Sequence, residues 1–495
     1  MGVFMMNGKQ MKRVVSCLLL LVAFASNAVD LSSKCTPENC RNKEKFKACL
    51  VDKDFAPTAY PACMDAAFEQ SYKDPTFWTN DIEKIFKAKT GVASRIQSTR
   101  HLSQVIQVNQ RCHDGMMERP IRILSIDGGG VRGIIPAVLV AAIEHIFGLP
   151  ITEIFDVFVG TSTGGLISIF LNIPDKNGKQ KYTAVEVIEL YKTLSRSIFK
   201  TDLYRVAHIN GLIGARYDPA PLESYLKKYT GNLTVMDTVK PIVITSYDTY
   251  LKNVFLFSTF LAEQEAKSKR LPNGKSILNL SLYDAGRATS AAPTYFPPLD
   301  LSLSSGAKLT LVDGGVALNN PSVIGLLTAL KAYPNRRYII VSFGTGQHQD
   351  KQAPAGAKFQ QKKAFIGGII QMLSPTIKSM MNAASQLNED ILTTLLNKQY
   401  FFRINPNIPK DLTKMDNVDT KNIAALEAIG FDIVMGEKNN TAESLAPESH
   451  EYMRLIEQLA RELYKEGKWA PQSVKRRAIK LNPINVQAPQ VASTT

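Results

Sequence analysis

The stretch Phe155-Asp156-Val157-Phe158-Val159-Gly160-Thr161-Ser162-Thr163-Gly164-Gly165 is an apolar strand pattern that runs through G-x-S-x-G into a helical segment. Glycines on both sides of a serine allow the tight strand-to-helix turn that lifts a hydroxyl above a sheet. The helix that follows aims N–H groups and the positive end of its dipole at that position, where an oxyanion would develop. Ser162 is thereby placed as a nucleophile, with Gly160 and Gly164 supporting the turn. An ordinary glycine-rich turn is the bland alternative, and the strand–turn–helix context argues against it.

Two further segments have the same local shape. Asp127-Gly128-Gly129-Gly130-Val131-Arg132-Gly133 follows the strand pattern Ile121 to Ile126 and opens a helix. Three residues without side chains let backbone N–H groups approach negative charge closely. Gly128, Gly130 and Gly133 also satisfy G-x-G-x-x-G, but a dinucleotide site wants an acid at the end of the next strand, where this chain has Gly160. Farther on, Leu309-Thr310-Leu311-Val312-Asp313-Gly314-Gly315 sets a carboxylate at the end of a strand. A partly desolvated Asp313 can serve as a general base, whereas a plain Asp-Gly turn is its structural reading.

Between 122 and 346, β-type runs alternate with helical stretches, the pattern of an α/β fold with a mostly parallel sheet. Strands are expected at 121–126, 155–159, 241–245, 254–258, 309–312 and 338–343, and helices at 134–147, 164–171, 184–195, 222–228, 285–292 and 322–332. Residues 261–276 read as a solvated loop, with a lid as the alternative. Residues 347–363, rich in Gln, Lys, Ala and Gly, read as a linker or mobile loop, and 364–468 as mainly helical, with helices at 365–373 and 449–465.

The N-terminus has a different character. Lys9, Lys12 and Arg13 precede the apolar run Val14 to Ala25, and Ser26-Asn27-Ala28 supplies small residues. This run of about 12 residues is short of the ~20 that span a bilayer, so 1–28 reads as a secretory signal peptide and the protein as exported, secreted or periplasmic. Cys35, Cys40, Cys49 and Cys63 lie in a lysine-rich segment with little core, which in an oxidising compartment suggests two disulfides of unspecified pairing. Cys112 is the odd one. No metal is expected, since the spacings lack a C-x-x-C pair. The division is therefore 1–28 signal, 29–118 cysteine-bearing extension, 119–346 catalytic domain, 347–481 mainly helical region and 482–495 disordered tail.

The formal charge of +15 falls to +12 once the signal's three basic residues are removed. A cationic surface favours encounter with anionic membranes, but the basic residues lack the interleaved aromatics of a nucleic-acid reader.

Taken together, the three glycine-flanked segments resemble the patatin-like phospholipases, in that family's order. Ala288-Thr289-Ser290-Ala291-Ala292-Pro293-Thr294-Tyr295-Phe296-Pro297-Pro298 is a fourth match. The resemblance implies a three-layer patatin-like α/β sandwich and a Ser162–Asp313 dyad that hydrolyses acyl esters of membrane lipids or lysophospholipids through an acyl-enzyme. It implies oxyanion N–H groups from Gly128, Gly129 and Gly130, with Gly133, Gly314 and Gly315 in support. Arg132 would fix the loop or meet an anionic head group. No cofactor is implied. A Ser162–Asp313–His348 triad, peptidase activity and a non-catalytic lipid-binding protein stand as alternatives, and an activating protein partner is left open.

Overall fold

The computed structural model describes residues 119–200, 215–269, 276–334, 336–348, 368–435 and 446–469. The expected signal peptide, the cysteine-bearing extension, the 349–363 part of the linker and the 482–495 tail lie outside the described residues.

In chain order the strands are β1 (Ile121–Ile126), β2 (Val157–Thr161), β3 (Ile242–Asp248), β4 (Asn253–Ser258), β5 (Leu299–Ser302), β6 (Lys308–Asp313), β7 (Tyr338–Phe343) and β8 (Phe401–Ile404). The main helices are α1 (Ile134–Phe147), α2 (Thr163–Leu171), α3 (Ala184–Ile198), α4 (Ala220–Thr230), α5 (Thr259–Lys269), α6 (Leu282–Thr289), α7 (Ser322–Ala332), α8 (Gly368–Leu395), α9 (Thr420–Met435) and α10 (Ala446–Lys465). Strands β8, β7, β1, β2 and β3 are parallel neighbours, and β4 runs antiparallel along the outer edge of β3. The antiparallel pair β5–β6 completes the eight-stranded sheet, with β6 also on β3. The fold is a mixed α/β structure with a mostly parallel central sheet, as the pattern of alternating runs implied.

Side-chain alternation along the strands produces the three layers. Leu124, Ile126, Phe158, Ile242, Ile244, Ile339 and Val341 point into one core shared with α1, α2, α9 and α10. Ile121, Ile123, Val157, Val159, Val243 and Ile340 point into the other, against Leu326 and Leu330 of α7 and Leu392 of α8. Strands buried on both faces explain why these runs are almost continuously apolar. Residues Gly130–Phe147 are long and apolar enough to cross a membrane, yet 72% of that stretch is buried within the fold. It is a core helix. Local signals set the helix ends: Thr183 and Glu186 form a reciprocal capping box at the start of α3.

Three features differ from the sequence reading. Residues 259–269 form α5 instead of a loop, because Leu261-Ala262-Glu263-Gln264-Glu265-Ala266-Lys267 are good helix formers and Glu263 pairs with Lys267 one turn on at 3.6 Å. The loop reading failed because this helix has no apolar stripe. Buried Glu265 accepts hydrogen bonds from the Ser276 hydroxyl (2.5 Å) and the Leu278 N–H (3.0 Å). Next, the region after 347 adds the edge strand β8 to the sheet, beside β7. Finally, β5 was absent from the expected strands.

The C-terminal region is continuous with the sheet's core. Gly430 of α9 packs so closely on α1 that an added Cβ would lie 2.8 Å from Val138 Cβ. Tyr452 of α10, buried, donates to the Leu139 carbonyl at 3.1 Å. Just past α10, Glu466 accepts from Arg122 Nη2 at 3.1 Å, and the Arg122 side chain is fully buried at the start of β1. Removing Glu466 would leave the fully buried Arg122 only the Asp156 carboxylate, 3.9 Å from its Nε, as counter-charge, and breaking a buried pair in this way costs more than the pair contributes. Glu466→Ala should therefore lower unfolding free energy by about 3 kcal/mol, read as a drop in the urea midpoint. The double replacement Arg122→Met with Glu466→Leu should recover most of that loss. An unchanged midpoint in the single variant would show that the Arg122–Glu466 pair does not help hold the sheet.

Candidate active site

Ser162 sits on the turn between β2 and α2 with φ 54° and ψ −122°, a backbone state that a non-glycine residue rarely holds. The neighbouring glycines make it sterically feasible. A Cβ on Gly160 would come within 2.3 Å of the Gly164 carbonyl oxygen, and one on Gly164 within 2.1 Å of that of Ile126. The turn is pinned by the Ser162 N–H, which donates to Thr289 Oγ1 at 2.7 Å. Thr289 belongs to the Ala288–Pro298 segment.

The strand β3 brings Asp313 to this turn. Its outer edge is occupied by β4, so β2 and β6 share the other edge end to end: Thr161 is the partner of Thr245, and Asp313 is the partner of Ser246, the next residue. Two strands that end at adjacent positions of one template must face their terminal residues toward each other. The junction is bonded by hydroxyls, with Thr161 Oγ1 2.7 Å from Thr245 Oγ1 and 2.7 Å from the Leu318 carbonyl oxygen, to which it donates. Gly314 passes over Thr245 where a Cβ would meet Oγ1 at 2.2 Å. The Asp313 carboxylate lies beside the Ser162 hydroxyl, which helps favour its charged form, and its Oδ1 accepts the Gly315 N–H at 2.7 Å. Burial dominates over the opposing effects of Ser162 and the Gly315 N–H and pushes the Asp313 carboxyl up to about 6.

The glycine loop lies beside the serine but differs in detail from expectation. The Gly128 N–H donates to the Asn319 carbonyl at 3.1 Å, so it is not available to an oxyanion. This corrects the expectation of three donors. Gly129 and Gly130 line the cavity that contains Ser162 and Asp313, and their N–H groups have no acceptor among the described residues. Gly130 is at φ +60°, and an added Cβ there would be 2.2 Å from the Met415 carbonyl oxygen. Gly133 abuts Thr163 in the same way, at 2.2 Å from its hydroxyl, and Gly315 lines the cavity. Arg132 is not among the cavity-lining residues. It is half-buried, donating to the Gly129 carbonyl at 3.3 Å and the Gly346 carbonyl at 2.7 Å, contacts that fix the loop. Burial pulls its pKa down to about 10.

His348 does not join the site. Its Nδ1 is 3.0 Å from the Ile408 carbonyl oxygen, and it is absent from the cavity lining. No cluster of His, Cys, Asp and Glu suited to a metal is found among the described residues. The cavity itself is mainly apolar, bounded by α2, α3 and α4, and it extends from Ser162 past Leu166 to Phe170, whose ring is backed edge-on by Tyr229 at 5.7 Å.

Several supporting residues carry no motif. Arg403 of β8 grips Asp127 with two hydrogen bonds, Nη1 to Oδ1 at 3.0 Å and Nη2 to Oδ2 at 2.7 Å. Burial pushes the Asp127 carboxyl up, and the Arg403 charge and hydrogen bonds oppose it. The signal available was a single arginine inside the apolar run Tyr400-Phe401-Phe402-Arg403-Ile404. Tyr191 of α3 bridges the Thr163 hydroxyl and the Gly130 carbonyl oxygen, to which it donates at 2.5 Å. Its only sequence signal is an aromatic on the buried face of an amphipathic helix.

Fold and site together define a three-layer α/β protein with its reactive-type serine at a strand–helix turn. The family model for Patatin-like phospholipase matches residues 124–324. Patatin-like protein 2 of Oryza sativa subsp. indica is 32% identical over 55% of this chain and 71% of its own length. Patatin-like protein 2 of Arabidopsis thaliana is 28% identical over 63% of this chain and 83% of its own. Probable inactive patatin-3-Kuras 1 of Solanum tuberosum is 25% identical over 67% and 89%. The chain belongs to the patatin-like phospholipase family, and at that level it is a lipid hydrolase.

The raised carboxyl of Asp313 has a consequence for stability. Its unfolded value is 3.8 and its folded value about 6, so between these the folded state retains the proton that the unfolded state has lost. Stability therefore falls as pH rises through that window, and above it the full loss of roughly 3 kcal/mol is present. Asp313→Asn has no such ionisation. Urea denaturation should find it more stable than wild type at pH 8, by up to about 3 kcal/mol, with the difference gone below about pH 4. A variant no more stable at pH 8 would mean that the carboxyl is not held in a desolvated site.

Proposed function

We propose that the protein is a phospholipase A-type acyl hydrolase that works through a Ser162–Asp313 dyad and an acyl-enzyme. The carrying observation is the Ser162 hydroxyl set beside a buried carboxylate whose pKa is raised to about 6, both lining an apolar cavity. A carboxylate near 6 is ionised at neutral pH and is a stronger base than an ordinary one. Asp313 takes the hydroxyl proton as Ser162 Oγ attacks the ester carbonyl carbon. The N–H groups of Gly129 and Gly130 stabilise the oxyanion of the tetrahedral intermediate. Collapse expels the alcohol, which leaves as a lysolipid carrying the proton from Asp313. Water then gives up a proton to Asp313 and attacks the acyl-enzyme, and Ser162 leaves with that proton to release the fatty acid. The acyl chain occupies the cavity between α2, α3 and α4.

The same reading takes the protein as exported, on the strength of the basic, apolar and small-residue order of residues 9–28, and as meeting anionic membrane surfaces through its net positive charge. Mass spectrometry of the exported form should find an N-terminus at Val29, and an intact Met1 would overturn it.

A relative described as probably inactive makes activity a point to be measured. Purified wild type incubated with mixed phospholipid vesicles should release fatty acid, and folded Ser162→Ala should release at least 10³-fold less. Below saturation, wild-type rate should rise with pH around 6 and then level off, as the base loses its proton. Equal release by both proteins would refute the dyad. Acylation of Ser162 by peptide esters but not by lipids would instead favour a peptidase.

A further inference from the structure

A peptide group is planar and trans, so the N–H of one residue points opposite to the C=O of the residue before it. Whatever holds the Gly128 carbonyl therefore aims the Gly129 N–H, and whatever holds the Gly129 carbonyl aims the Gly130 N–H. Both carbonyls are held. Thr345 Oγ1 donates to the Gly128 oxygen at 2.8 Å. Arg132 Nε donates to the Gly129 oxygen at 3.3 Å, and its Nη1 donates to the Gly346 oxygen at 2.7 Å.

Both holds thus originate in Gly344-Thr345-Gly346, the segment that leaves β7. It is anchored in turn by the Gly344 N–H on the Ile404 carbonyl at 2.8 Å and the Gly346 N–H on Asn405 Oδ1 at 3.0 Å. Thr345 is 3% exposed, and a Cβ on Gly129 would come within 2.1 Å of its hydroxyl oxygen, so the contact admits only glycine in the loop. The next peptide is oriented differently: Tyr191 holds the Gly130 oxygen and the Val131 N–H goes to the Met415 carbonyl at 2.8 Å. The aimed pair ends at Gly130. We propose that Thr345 and Arg132 are positioning residues that direct the Gly129 and Gly130 N–H groups into the cavity, with the Gly344–Gly346 segment as their common support. The role rests on the proposed dyad chemistry, since an aimed oxyanion hole has a function only where a tetrahedral intermediate forms.

The test is a kinetic split on the full chain. Thr345→Val keeps the shape and removes the donor, and Arg132→Lys keeps a cation for the Gly346 carbonyl while losing the Nε donor. Each should lower kcat by about 10- to 100-fold, less than outright loss of an oxyanion donor, with KM changed less than about twofold, because ground-state ester binding does not use these N–H groups. Labelling of Ser162 by a p-nitrophenyl alkylphosphonate should slow by a similar factor. In that reaction Ser162 Oγ bonds to phosphorus as p-nitrophenolate leaves, the serine proton passes to Asp313, and the phosphoryl oxygen takes the oxyanion's place. Thr345→Ser, which restores the hydroxyl, should return kcat to within a few-fold of wild type.

A kcat unchanged in both folded variants, a loss carried by KM alone, or no rescue by Thr345→Ser would each overturn the assignment. If Thr345→Val fails to fold, Arg132→Lys and the Thr345→Ser comparison still decide it. Ser162→Ala assayed in parallel separates the two readings: retained activity there sinks the dyad itself, whereas loss there with normal Thr345→Val kinetics sinks only the positioning role.

Discussion

The site exists because β2 and β6 arrive from opposite directions on one edge of β3. Thr161 and Asp313 pair with consecutive β3 residues, Thr245 and Ser246, so the serine that follows Thr161 and the carboxylate that closes β6 meet at a junction set by sheet register. A shift of one residue in either strand would turn its last side chain to the opposite face of the sheet. The β4 strand contributes by occupying the other edge of β3, and the Thr161–Thr245 hydroxyl contact closes the seam. Register sets Ser162 and Asp313 side by side.

Around that junction, a second set of contacts comes from the far end of the chain. Arg403 on β8 holds Asp127, Met415 accepts the Val131 N–H, and Thr345 at the end of β7 holds Gly128. The segment between Asp127 and Gly133 has almost no side chains of its own with which to keep a shape. Its conformation is imposed by neighbours. This is why the region after 347 cannot be treated as an appendage on structural grounds: it supplies an edge strand, a buried cation and a carbonyl clamp to the loop that faces Ser162.

The sequence revealed what is locally encoded. The continuous apolar runs of β1, α1 and β7 were bounded correctly because strands covered on both faces and a buried helix leave no polar positions to blur them. Ser162 was legible because Gly160 and Gly164 write the turn into five adjacent residues. Asp313 was harder, since its partner is chosen by β3 and nothing in Asp313-Gly314-Gly315 names it. The three loop glycines looked equivalent, and only the remote Asn319 carbonyl distinguishes Gly128 from the other two. Arg403 and Thr345 lie 276 and 217 residues from their partners in the chain, and no local pattern marks either. For α5, helix propensity was present but its face was not apolar, so a reading led by periodicity missed it.

The apolar cavity and the raised carboxyl have a common origin. Leu166, Phe170 and Leu194, which line the cavity, belong to the same core cluster that excludes water from this side of the sheet. Desolvation opposes ionisation of Asp313 in the folded protein, which weakens the fold at neutral pH, and the φ of 54° at Ser162 adds backbone strain at the same place. On the proposed mechanism both costs serve the chemistry. A bound acyl chain would remove the remaining water, strengthening the N–H dipoles of Gly129 and Gly130 at the moment charge develops. The energetic burden of the site is therefore carried by the surrounding sheet and helices, and by the C-terminal contacts that keep the glycine loop in place.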